Sequence, residues 1–162
     1  MTLNTPTTLA LILVAVSAST THSQTKKQTP KDVMPLGNFS VSLTVKDIKA
    51  SRAFYEKLDF RKVDGNIDQN WLILQNGTTT IGLFQGMFEK NAMTFNPGWN
   101  HKKETPQDFQ DIRAIQAELK KRGLTLTTEA DESTTGPANF TLVDPDGNPI
   151  LFDQHVAKPK VE

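Results

Sequence analysis

The sequence predicts an α+β fold made of two βαβββ modules that share a sheet and leave a cleft between them. Three observations predict it. The stretch KDIKASRAFYEKLDF, Lys46 to Phe60, returns as QDIRAIQAELKKRGL, Gln110 to Leu124, so that Asp47, Ile48, Ala50, Ala53 and Lys57 fall on Asp111, Ile112, Ala114, Ala117 and Lys121 at one constant offset. An echo follows each copy: NWLILQNG with IGLF in the first, NFTLVDPDG with ILF in the second. Strict apolar alternation in FSVSLTV, Phe39 to Val45, marks a strand with one apolar face and one face of small hydroxyls. Two copies of one unit that share a sheet leave a cleft between them, and such a cleft is where small molecules bind.

Each element has a local reason. In the first strand Phe39, Val41, Leu43 and Val45 share a face that should pack on the helices, which turns Ser40, Ser42 and Thr44 toward the cleft. Asp47 is an N-cap for a helix over Ile48 to Leu58, with an apolar stripe expected at Ala50, Ala53, Phe54 and Leu58. Asp59 takes the left-handed cap position that Gly123 fills in the second copy. Strands are expected at Phe60 to Val63, Asn70 to Leu74 and Thr79 to Gln85, with Asp64-Gly65 and Asn76-Gly77 as turn residues. The second module opens with a strand at Ala92 to Asn96 and an inserted loop from Pro97 to about Asp108. Its helix runs to about Arg122, and strands follow at Leu124 to Thr128, Ala138 to Val143 and Pro149 to Gln154, with Asp144-Pro145-Asp146-Gly147 as the last hairpin turn.

Composition limits the function classes. A chain of 162 residues with 36% hydrophobic content is one globular domain. Lys plus Arg and Asp plus Glu are 18 each, which leaves no electrostatic footprint for nucleic acid or an anionic membrane. The absence of cysteine excludes disulfides, thiolate nucleophiles, thiolate metal sites and a lipidated cysteine. Residues 1–18 read as a signal peptide, because the apolar run LALILVAVSA is shorter than the roughly 20 residues that span a bilayer and ends in small residues. Residues 19–36 read as a flexible polar leader, and the expected localisation is secreted or periplasmic, with no membrane span in the mature chain. The folded domain is expected over 37–157, as modules of about 37–90 and 91–157.

The runs GNFSVSLTVKDIKASRAFYEKLDF and NFTLVDPDGNPILFDQ together resemble the vicinal oxygen chelate superfamily, which contains glyoxalase I, bleomycin-resistance proteins and extradiol dioxygenases. The resemblance covers about Leu36 to His155 and implies a glyoxalase-like fold, with eight strands curved around a concave pocket, and commonly a homodimer. In metal-using members, His, Glu or Gln side chains on four strands hold a divalent ion that chelates two substrate oxygens. Carried over position by position, the first slot is Ser40, the second Gly82 and the fourth Leu151, while no residue from Ala92 to Asn96 offers His, Glu, Asp or Gln for the third. A serine hydroxyl is a poor ligand, and glycine and leucine offer none, so no cofactor is expected at the family positions.

The candidate ligand-binding residues are Ser40, Ser42, Thr44, Gly82, Asn96, Trp99, Leu151 and Asp153. Asn96 could hydrogen-bond a ligand, and Trp99, presented by the Pro97-Gly98 turn, could form an apolar wall. Two functions remain open at this point. One is a metal-independent module that binds a small organic molecule. The other is a glyoxalase-like lyase or isomerase, or a dioxygenase, with a divalent metal relocated to His155, Asp153 and His101.

Overall fold

A computed structural model of the chain describes residues 33–160; the expected signal peptide and most of the leader lie outside them. Among the described residues there are seven strands and two α-helices: β1 (Asn38–Val45), α1 (Ile48–Glu56), β2 (Arg61–Asn66), β3 (Trp71–Asn76), β4 (Thr79–Gln85), β5 (Ala92–Asn96), α2 (Ile112–Lys121), β6 (Ala138–Val143) and β7 (Pro149–Gln154). They form one mixed sheet in the order β2-β3-β4-β1-β5-β7-β6. Within each module the first strand lies parallel to the last, β1 beside β4 and β5 beside β7. The modules join through the antiparallel pair β1 and β5, with Ser40 opposite Thr94.

Each helix is fixed at its N-terminus by the same two devices. Asp47 accepts hydrogen bonds from the Lys49 and Ala50 N–H groups, and Asp111 from that of Arg113. A glutamine at the end of each module's last strand then takes the next free donor. Ile48 N–H donates to Gln85 Oε1 and Ile112 N–H to Gln154 Oε1, both at 2.8 Å. These anchors set the rotation of α1. Ile48 and Tyr55, at i and i+7, join the core beneath it, whereas Ala50, Ala53, Phe54 and Leu58 are exposed, Phe54 at 59%. The expected stripe is therefore on the solvent side, with Ile48 and Tyr55 as the residues of α1 that pack inward.

Two cores lie on the helix side of the sheet. Ile48, Leu72, Leu74, Ile81 and Leu83 form the first, joined by Leu43, Val45 and Tyr55. Ile112, Ile115, Leu119, Phe140, Leu142 and Phe152 form the second, joined by Met34 and Leu36 from the approach to β1. Phe39, expected inside, is 46% exposed and leans on Phe95 at 5.2 Å.

Two further expectations are corrected. Leu124 to Thr128 does not form an eighth strand; it meets β6 at Thr141 alone, through the isolated Thr128–Thr141 bridge and a bond from Thr127 N–H to the Thr141 carbonyl at 2.7 Å. Side chains of α2 capture the chain immediately beyond. Gln116 bonds both the N–H and the C=O of Ala130, and Arg113 donates to the Asp131 carbonyl, so those backbone groups are unavailable for a ladder. Asp64-Gly65 is not a turn but part of β2, at a register shift between Lys62 and Asp64. Gly65 (φ +98°) is required there, since a Cβ would lie 2.7 Å from the Leu72 Cα. The reversal comes later, through the 3₁₀ turn Ile67–Gln69.

Candidate ligand-binding cleft

The face of the sheet opposite the helices carries a cavity of about 620 Å³ that straddles the β1–β5 seam. Its floor follows from strand register. Gln75, Thr80, Ser40, Thr94 and Leu151 are successive Cα partners across β3, β4, β1, β5 and β7, so their side chains form one row over the seam. The neighbouring row runs Ile73, Gly82, Ser42. Ser40, Ser42 and Thr94 are buried, and the Ser42 and Thr94 hydroxyls bond each other at 2.8 Å.

The structure brings together seven of the eight candidate binding residues: Ser40, Ser42, Gly82, Asn96, Trp99, Leu151 and Asp153 all line this cavity. Thr44 does not. Its hydroxyl donates to the Phe88 carbonyl at 2.9 Å, which holds it away at the end of β1. Gly82 also acts differently from expectation. The space it leaves is filled by the Phe84 ring, whose Cε2 lies 2.4 Å from where a Gly82 Cβ would be. The second of the four family positions is thus covered by a phenyl ring.

One bank is apolar, formed by Val63, Trp71, Ile73 and Phe84. On the other bank Trp99 stacks on His155 at 4.3 Å between ring centres, and His155 Nε2 lies 3.2 Å from Asp153 Oδ2. Burial pushes the Asp153 carboxyl above its ordinary range, while the nearby His155 acts in the opposite direction. Asn96 Nδ2 donates to the Asp153 carbonyl at 3.0 Å and so fixes β7 against β5.

The inserted loop crosses the cleft. The Trp99 carbonyl accepts from Asn38 N–H at 2.9 Å, Gln75 Nε2 donates to the His101 carbonyl at 2.5 Å, and Lys103 pairs with Asp64 on β2. Lys103 Nζ also sits 5.4 Å above the Trp99 ring. Its hydrogen bond to Asp64 is the main cause that holds that carboxyl below its usual range.

The residues do not fit the divalent ion that the resemblance implies. The positions facing the cleft at the four slots are Ser40, Gly82, Thr94 and Leu151, which supply two weak hydroxyl donors and no imidazole or carboxylate. His101, Asp153 and His155 share the cavity, yet among the described residues no three His, Asp or Glu side chains converge to hold a metal.

Ile73, Gln75, Thr80, Phe84, Thr94, Asp64 and Lys103 are site residues that the sequence did not single out. WLILQ is apolar on both faces of its strand, so alternation there does not tell core from cleft. Thr94 had a usable signal, being the only hydroxyl in AMTFN.

Residues 39–152 match the family model described as Glyoxalase/Bleomycin resistance protein/Dioxygenase superfamily. Among solved structures, the chain is similar to a glyoxalase/bleomycin resistance protein/dioxygenase superfamily member from Vibrio splendidus 12B01. The identity is 16%, with 72% of this chain and 97% of that chain covered and a TM-score of 0.50. It is also similar to a structure described as an NAD-dependent benzaldehyde dehydrogenase from Legionella pneumophila, at 16% identity, 72% and 98% coverage and a TM-score of 0.51. A third likeness, to the Mn(II)-bound glyoxalase from Novosphingobium aromaticivorans, has 20% identity, 76% and 41% coverage and a TM-score of 0.44. At these identities the solved structures speak to fold alone. A search of curated proteins finds no match.

Proposed function

The chain belongs to the glyoxalase/bleomycin resistance protein/dioxygenase superfamily, and from that premise we propose that it is a binding module that holds a small organic molecule in the cleft between its modules, with no divalent ion at the family's ligand positions. One observation carries the reading. The four family positions present two hydroxyls, a leucine and a glycine roofed by the Phe84 ring, a surface suited to shape and hydrogen bonding rather than to cation coordination. Export belongs to the same reading, with cleavage near Ala18 releasing the domain outside the cytoplasm.

Elemental analysis beside a thermal-shift screen with Ni, Zn, Mn and Fe tests the metal half. The expected result is substoichiometric metal and no stabilisation; a tightly retained ion at one per chain overturns it. An organic compound library in the same format tests the binding half, since a ligand at a hundred times its Kd stabilises the folded state by about 2.7 kcal/mol. Intact mass spectrometry of the exported protein tests cleavage.

The pairing of Asp153 with His155 inside the cleft keeps a second reading in view, a glyoxalase-like lyase or isomerase, or a dioxygenase, with a relocated metal. That reading requires His155→Ala to abolish both metal uptake and turnover. Retention of both removes it.

A further inference from the structure

Resting on the reading of the cleft as a ligand site, we infer that its ligand is uncharged, flat and ring-containing, with one hydrogen-bonding oxygen directed at Ser40. The argument is one of elimination among the lining groups. Asp64 already faces Lys103, and Asp153 already faces His155, so an anionic or cationic ligand must compete with a partner in place. Lys102, the remaining lysine or carboxylate of the lining, is exposed, where an ion pair contributes little.

Several of the neutral polar groups are engaged as well. Gln75 Nε2 bonds Thr80 Oγ1 at 3.3 Å and the His101 carbonyl at 2.5 Å, Asn96 Nδ2 bonds the Asp153 carbonyl, and Ser42 and Thr94 bond each other. A sugar, which needs many free donors and acceptors, would find few. What stays open is the apolar bank of Trp71, Ile73 and Phe84 and, on the floor, Leu151, surfaces that favour a planar conjugated ring, with the side chains of Asn38 and His101 also in the lining. In the middle of the floor row stands Ser40, whose hydroxyl makes no side-chain hydrogen bond among the described residues.

Isothermal titration calorimetry of the full chain with four probes on one ring tests the inference: 2-naphthol, naphthalene, naphthalene-2-sulfonate and 2-naphthylmethylammonium. The expected order puts 2-naphthol at least fivefold tighter than either ion. Ser40→Ala should weaken 2-naphthol by about threefold to tenfold, the range of one neutral hydrogen bond, and leave naphthalene unchanged. Tighter binding of either ion overturns the inference, as does an equal effect of Ser40→Ala on both uncharged probes, which would mark a merely structural role. If no naphthalene probe binds while the compound library yields a stabiliser, the ligand class is wrong and the binding reading stands; if neither experiment finds a binder, both fail.

Discussion

A methyl group added to Gly82 would overlap the Phe84 ring, so the ring would have to swing toward the cleft to make room. Gly82→Ala is therefore expected to cost about 1–3 kcal/mol in urea denaturation, as small-to-large changes in packed sites do. Adding Phe84→Leu should recover part of that loss. Asp153 yields a prediction with a definite sign. Burial raises its carboxyl above the ordinary 3.8, so the folded protein holds that proton more tightly than the unfolded chain does. Its contribution to stability is complete below that ordinary value and is lost as pH rises through the raised one. Asp153→Asn should accordingly raise Tm relative to the parent at pH 7, with the advantage vanishing at pH 3; a Tm series across that range checks it. At this scale the side-chain chemistry of Ser40, Gly82 and Leu151, a hydroxyl, a hydrogen and an alkyl group, was legible because it does not depend on rotamer. The Phe84 ring over Gly82 was not, since it depends on the side-chain direction of a residue two positions on.

The elements repeat more faithfully in their fastening than in their letters. Gln85 and Gln154 perform the same task, yet Gln154 is fully buried and bonds Ile112 N–H, Asp111 and the Val156 carbonyl, whereas Gln85 is half-buried and takes Ile48 N–H. Gln154→Ala should destabilise by about 3 kcal/mol and Gln85→Ala by about 1, compared in parallel denaturant titrations. The Asp47 cap, both left-handed helix ends and the bounds of β4, β5, β6 and β7 were readable, because each rests on chemistry local to its own residues. Asp59 does adopt φ +62°, in the place where Gly123 has +83°. The strand expected at Leu124 to Thr128 failed for a non-local reason. Its alternation is strand-like, but Arg113 and Gln116, distant in sequence, hold the chain just beyond it.

Across the whole molecule, the paired-module architecture was legible from the repeat, and the seam is where the cavity lies. No helix among the described residues is long and apolar enough to cross a membrane. The homodimer that the resemblance implies is expected to sediment at about twice the mass of one chain in analytical ultracentrifugation; a single monomeric boundary at micromolar concentration would remove it. The cavity also contains both of the chain's tryptophans, Trp71 on one bank and Trp99 on the other. The unlabelled protein therefore carries its own optical gauge: ultraviolet emission comes from the two walls of the hollow, so occupancy, displacement and drying of the space can be followed as changes in intensity and colour without a dye or an engineered marker.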